Sequence, residues 1–327
     1  RDGKTIINLT KGDFDVISIQ ALNEESGWVY FTASPKNVAQ RYLFRSKLDA
    51  SVVNEQITPE EFAGSNSYQI SDNGQWAIHT HSTFEQPAQK RLIKVEGHQQ
   101  QHLMMDNNKL ISQLGTLNRP STEFFQVTAR DGLVLDGYLM KPANFDKNKK
   151  YPIIFYVYGE PWGQTVQDRW RGNSYLWDQM MTEQGFLIAS IDNRGTRAPK
   201  GREWRKSIYG EVGVKSSRDQ ADALKAMADR WSFIDTDRVG IWGHSGGGSM
   251  TLNMLFRYPE QYHVGISLAP VPDQRLYDTI YQERYSGLLP DYEEGYKQGS
   301  PITHAENLEG KLLLIHGTGD DNVHYQG

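Results

Sequence analysis

An α/β fold, with a mostly parallel sheet and flanking helices preceded by antiparallel β-structure, is what this sequence predicts, on three observations. Residues 1–117 read as short strands separated by strong turns. From about Glu123 strands alternate with helical stretches, the rhythm of a parallel sheet with crossover helices. Finally, Gly243-His244-Ser245-Gly246-Gly247 sits between an apolar run, Val239–Trp242, and a helix-like stretch, Ser249–Phe256. A strand, a sharp turn and a helix in that order lift a serine clear of a sheet, where it can attack a carbonyl.

In the first part, Gly27–Thr32 is rich in β-formers and Arg41–Arg45 alternates polar with apolar, as a half-buried strand does. Asn66–Ile70, the turn Ser71-Asp72-Asn73-Gly74 and Gln75–His79 form a hairpin, and Arg91–Val95 follows as a further strand. Trp28 and Trp76 stand 48 positions apart in similar settings, close to the period of propeller blades. Two such units do not close a ring, so a propeller would lie mostly upstream of Arg1. Asn118-Arg119-Pro120-Ser121 marks a boundary, giving residues 1–117 as the C-terminal part of a β-propeller and 118–327 as the catalytic domain. In the second part the strand candidates are Phe124–Thr128, Val134–Met140, Ile153–Tyr158, Phe186–Ile191, Val239–Trp242, Val264–Leu268 and Leu312–Ile315. Ser217–Trp231 is an amphipathic helix with Ala221, Leu224, Ala228 and Trp231 on one face.

Composition removes several functions. A net charge of −5 argues against nucleic acid, which wants a basic surface. The basic residues Arg194, Arg197, Lys200, Arg202, Arg205 and Lys206 read as a solvated face. No apolar run reaches membrane-spanning length in this segment. The chain has no cysteine, which excludes a thiol nucleophile, a thiolate zinc site and disulfides. No histidine or carboxylate cluster has metal-ligand spacing, no lysine follows Gly246-Gly247-Gly248 as a phosphate loop needs, and no cofactor is expected. Residue 1 is Arg with no signal-like segment after it, so the chain reads as an internal piece of something longer. A periplasmic or secreted location is preferred to a cytoplasmic one.

A serine hydroxyl becomes a nucleophile when a histidine, itself oriented by a carboxylate, takes its proton. On the α/β-hydrolase fold these residues follow the order serine, acid, histidine. The acid candidate is Asp320, just past the expected buried strand Leu312–Ile315, with Asp321 as the fallback. Of the nine histidines only His324 follows Asp320, four positions on in the same segment, and it reads as packing beside the acid loop. His244 belongs to the turn itself and should point away from the position of the base. The base is therefore expected beyond Gly327. The backbone N–H of Gly246 is one oxyanion donor, and the second is either the N–H of Gly159 or the hydroxyl of Tyr158.

The chain resembles the dipeptidyl-peptidase-IV-like branch of the prolyl oligopeptidase family of serine peptidases over essentially its whole length. The resemblance is most specific in five segments. They are Tyr151-Pro152 through Val157-Tyr158-Gly159-Glu160-Pro161; Asp192-Asn193-Arg194-Gly195-Thr196; the serine turn; Ala269-Pro270-Val271 with Tyr277-Asp278 and Tyr281-Gln282-Glu283-Arg284-Tyr285; and His316-Gly317-Thr318-Gly319-Asp320-Asp321-Asn322-Val323-His324. It implies a propeller that restricts access to small peptides, Ser245 as nucleophile, Asp320 as acid and a histidine beyond Gly327. It also selects the Tyr158 hydroxyl, with the Gly246 N–H, for the oxyanion hole. Tyr277 and Tyr281, with Val271 nearby, would line the pocket for the residue before the scissile bond, and Asn322 would hold a substrate carbonyl. Tyrosines at i and i+4 would share one helix face there. A homodimer is implied too. Two departures from the pattern stand out: the turn reads Gly-His-Ser-Gly-Gly-Gly where aminopeptidase members usually carry Gly-Trp-Ser-Tyr-Gly-Gly, so that His244 and Gly246 differ, and Gln274 stands where tryptophan is familiar. The paired glutamates that grip a substrate amine belong to a propeller segment upstream.

The expected function is thus a dipeptidyl-peptidase-like exopeptidase cleaving short peptides after proline or a small residue. An acylaminoacyl-peptidase-like or esterase hydrolase on the same fold is the alternative. A propeller-based binding protein with an inactive hydrolase domain is the reading from another class.

Overall fold

The structure is a computed structural model that describes residues 3, 4 and 6–327. They divide into two compact units. The first runs to Leu117 and includes Gln167–Tyr175 and Pro199–Gly201; the second is the remainder from Asn118.

The first unit holds two four-stranded antiparallel sheets. One orders β1 (Val16–Asn23), β2 (Trp28–Ala33), β3 (Tyr42–Lys47) and β4 (Glu55–Gln56) in sequence. The other does the same with β5 (Ser65–Ile70), β6 (Trp76–Ser82), β7 (Gln89–Lys94) and β8 (Gln99–Met105), before α1 (Asn108–Leu114). The two sheets repeat one design. Trp28 opens β2 opposite Lys47, Trp76 opens β6 opposite Lys94, and each ammonium lies over its indole, at 4.2 and 5.8 Å. The β5–β6 turn closes through Gly74, whose φ of +68° suits glycine and whose N–H reaches Ser71 O at 2.8 Å. Strands β1, β4 and β8 have no clear sequence signal, because the apolar residues of β1 do not follow a buried face, β8 is exposed and opens with four polar residues, and β4 is two residues long.

The second unit is built on a seven-stranded sheet ordered β15-β14-β13-β11-β12-β10-β9. Its strands are β9 (Ser121–Thr128), β10 (Val134–Lys141), β11 (Tyr151–Tyr156), β12 (Leu187–Asp192), β13 (Ile234–His244), β14 (Val264–Leu268) and β15 (Lys311–Ile315). Pairings from β12 through β11, β13, β14 to β15 are parallel, and β9 and β10 join antiparallel at the far end. The helices are α2 (Asn173–Glu183), α3 (Gly201–Lys206), α4 (Val214–Arg230), α5 (Gly246–Arg257), α6 (Thr279–Ser286) and α7 (Leu289–Gly299). Ile153, Phe155, Val239 and Ile241 of the central strands bury against Leu252 and Leu255 of α5 and Ala221 and Leu224 of α4. Strands covered on both faces read as continuous apolar runs, which is why Ile153–Phe155 and Val239–Trp242 stand out in the sequence.

Leu312–Ile315 forms β15, which stands last in the sheet order of the described residues. One expectation needs correction. The basic residues from Arg194 to Lys206 are not one solvated face: Arg194 is drawn into an ion pair with Asp219, which is 0% exposed, at 2.7 Å, and also meets Asp131. The charge pattern alone did not reveal an acid on α4 waiting for it.

Candidate active site

Strand β13 ends at His244 and α5 begins at Gly246, so Ser245 alone makes the turn, at φ 59° and ψ −123°. A non-glycine residue there is strained by about 1–3 kcal/mol, which the surroundings must hold in place. They do so through backbone: the Ser245 N–H donates to Leu268 O at 2.9 Å, and Ser245 O accepts the Ser249 N–H at 3.0 Å. The glycines are demanded by crowding. A Cβ on Gly243 would lie 2.5 Å from Gly247 and from Val157 O, and one on Gly247 would lie 2.2 Å from Val157 O. As the first residue of α5, Gly246 carries an N–H with no partner inside the helix, at the helix's positive end.

The loop after β11 lies alongside. Val157 N–H donates to Trp242 O at 3.0 Å, and Gly159 takes φ +77°, where a Cβ would meet Met250 at 2.8 Å. Asn193 clamps this loop: its Nδ2 donates to Gly159 O at 2.9 Å, and its Oδ1 accepts from Gln220 Nε2 of α4 at 2.9 Å. Asp192 before it accepts the N–H groups of Thr165 and Val166, and burial pushes its carboxyl up to about 6. Burial, then the neighbouring Glu160, pushes the Tyr158 hydroxyl well above the usual tyrosine range, so it stays a protonated donor. Glu160 is 6% exposed; burial pushes its carboxyl up to about 7, against a 2.8 Å hydrogen bond that Tyr281 Oη donates to its Oε2. Glu160 is a residue to which sequence reasoning gave no role.

Asp320 follows β15. Its Oδ1 accepts the N–H groups of Asn322 at 3.0 Å and Val323 at 2.9 Å. Those bonds, with smaller help from His316 and His244, hold its carboxyl below the usual range. His244, Leu268 and Ile315 are directly paired across β13, β14 and β15, so Ser245 and the Asp320 loop leave the same edge of the sheet. Two strand spacings, about 10 Å, separate the backbones of His244 and Ile315.

The remaining predicted residues gather by contact. Val271 is buried and its N–H donates to Ser249 Oγ at 2.9 Å. Tyr277 Oη donates to Asn322 Oδ1 at 3.2 Å. The rings of Tyr277 and Tyr281 meet edge-on at 5.5 Å, but not from one helix face: Asp278 caps α6 through the Tyr281 N–H, and Tyr277 precedes the cap in extended backbone. The helical i, i+4 pair is Tyr281 with Tyr285, at 4.9 Å. Among the described residues no histidine hydrogen-bonds to Ser245 or to Asp320; His324 is exposed and His316 Nδ1 bonds Gly317 O. No cluster of three metal-ligating side chains occurs, and no helix is long and apolar enough to cross a membrane, among the described residues.

A serine on a strained strand-to-helix turn at the centre of a mostly parallel sheet defines the α/β-hydrolase class of fold. Residues 173–327 match the prolyl oligopeptidase family model, and residues 1–88 match that of the dipeptidyl peptidase IV N-terminal region. A probable dipeptidyl peptidase 4 of Aspergillus flavus is 33% identical over 323 residues, covering 98% of this chain and 41% of the relative. Dipeptidyl peptidase 4 of Trichophyton rubrum is 32% identical, with 99% and 42% covered. The crystal structure of Porphyromonas gingivalis dipeptidyl peptidase 4 matches with a TM-score of 0.92 at 30% identity, over 99% of this chain and 45% of that one. The chain belongs to the prolyl oligopeptidase family, in its dipeptidyl-peptidase-IV-like branch, with an α/β-hydrolase domain preceded by propeller blades. It spans about two-fifths of the length of these curated relatives, 41% and 42%.

Proposed function

We propose that the protein acts as a serine exopeptidase of the dipeptidyl-peptidase kind, cleaving short peptides after proline or a small residue through an acyl-enzyme on Ser245. The observation that supports this best is the backbone of Ser245, held at φ 59° and ψ −123° beside the N–H of Gly246. In this reading a histidine takes the Ser245 proton as Oγ attacks the carbonyl, then returns it to the leaving amine, while Asp320 orients the imidazole. Water hydrolyses the ester by the same route in reverse. The Gly246 N–H and the Tyr158 hydroxyl receive the oxyanion, and a protonated phenol suits that task. Val271, Tyr277 and Tyr281 wall the pocket for the residue before the scissile bond. Asn322 Oδ1 accepts from the Tyr277 hydroxyl, which leaves its Nδ2 amide to hold a substrate carbonyl.

The test is a serine-directed phosphonate offered to the full-length protein, followed by mass spectrometry of the labelled peptide. Labelling at Ser245, absent from Ser245→Ala, supports the reading; labelling of both proteins alike overturns it.

A further inference from the structure

Gly246 and Glu160 share one space. A Cβ built on Gly246 would lie 2.7 Å from both Cδ and Oε2 of Glu160, so glycine at 246 is what admits the carboxyl beside the serine turn. The other side of that carboxyl is Tyr281, whose hydroxyl donates to Oε2 at 2.8 Å. The groups facing it are the phenols of Tyr281 and Tyr158, with Tyr277 and Tyr285 behind them; among the described residues no cation pairs with it. A buried carboxylate without a cation is costly, and a cation brought by a ligand would relieve that cost. A purely structural clamp on Tyr281 would need only an acceptor, which an amide supplies as well.

Resting on the reading of Tyr281 as a wall of the acyl-side pocket, we propose that Glu160 sets specificity there: it favours a residue before the scissile bond whose side chain donates a hydrogen bond to the carboxylate, an ammonium above a hydroxyl above none. The carboxyl titrates near neutrality, pushed up to about 7 by burial, so the preference for a cation strengthens as pH rises through that value.

The experiment uses full-length protein and free-amine anilides in matched pairs: Ala-Lys against Ala-norleucine, and Ala-hydroxyproline against Ala-Pro. In the wild type the Lys:norleucine ratio of kcat/KM should reach on the order of tenfold at pH 8 and fall towards pH 6. In Glu160→Gln it should drop to about one at both pH values, and Glu160→Asp should restore part of it. Equal ratios in wild type and Glu160→Gln, or a wild-type ratio flat in pH, overturn the inference while leaving the peptidase reading intact. Should Glu160→Gln not fold, the wild-type pH dependence of the ratio decides alone. No turnover of any free-amine substrate overturns the peptidase reading, and this inference with it.

Discussion

Tyr281 Oη donates a 2.8 Å hydrogen bond to Oε2 of Glu160, joining a helix-borne phenol to a buried carboxyl on the loop after β11. That bond lowers the proton affinity that burial raises. Tyr281→Phe should therefore move the Glu160 titration further up. A carboxyl with a raised folded pKa keeps its proton while the unfolded chain has released its own. Stability contributed by the protonated form is thus complete below the unfolded value, about 4.3, and is lost as pH rises towards about 7. Glu160→Gln should remove that loss. Denaturant midpoints of wild type and variant should diverge from pH 5 to 7.5, with the variant more stable at the upper end; parallel curves would contradict the buried, ionisable carboxyl.

The first unit should respond to pH in the opposite sense. His79, His81 and His98 are buried with Tyr68, against the ring of Phe62; His79 stacks on Tyr68 at 4.6 Å, and its Nε2 meets Asn66 Oδ1 at 2.7 Å. Burial, above all, depresses these imidazoles, to about 2 for His79 and about 4 for His98. A depressed folded pKa means stability that is complete above the unfolded value, about 6.5, and lost as pH falls below it. Each such histidine removes about 1.4 kcal/mol per pH unit over its window. Amide exchange of β6 and β7, corrected for intrinsic rates, should quicken between pH 6.5 and 5, and His79→Gln should blunt the effect.

Strain at the serine turn is separable from chemistry. Ser245→Ala should cut kcat by about 10⁶-fold with little change in thermal midpoint. Ser245→Gly should be as inactive yet more stable than Ser245→Ala by about 1 kcal/mol, because glycine adopts φ +59° without penalty. Equal stabilities would mean that the turn is relaxed in solution.

The Asp192-Asn193-Arg194 segment supports the site from behind. Arg194 reaches Asp219 with Nε at 2.8 Å and Nη2 at 2.7 Å. Removing the arginine would strand a buried carboxylate, and Arg194→Ala should lose about 3–5 kcal/mol of unfolding free energy. Asn193→Ala frees Gly159 O and should lower kcat more than it raises KM, since the loop it clamps carries Tyr158.

The serine turn was legible because its constraints are local. The glycines at 243 and 247 and the apolar run before them are close neighbours in the chain, and the crowding around Val157 O permits few substitutes. The central strands were legible for the same reason that they are buried. Half-exposed β1 and exposed β8 give no such run. The Tyr277–Tyr281 spacing suggested one helix face, whereas α6 begins only at Thr279, after the cap at Asp278, and leaves Tyr277 outside the helix. Glu160 stayed silent because its meaning depends on an absence 86 positions away, the side chain that Gly246 lacks. Arg194 likewise needed Asp219, which only the fold brings to it.

The most direct measurement sets three chromogenic substrates side by side with the full-length protein: free-amine Ala-Pro-anilide, its N-blocked counterpart and a short acyl ester. Fastest turnover of the free-amine peptide, abolished by Ser245→Ala, is the predicted result. Faster turnover of the blocked peptide or the ester would contradict the exopeptidase account while keeping Ser245 as nucleophile, and turnover surviving in Ser245→Ala would contradict it entirely.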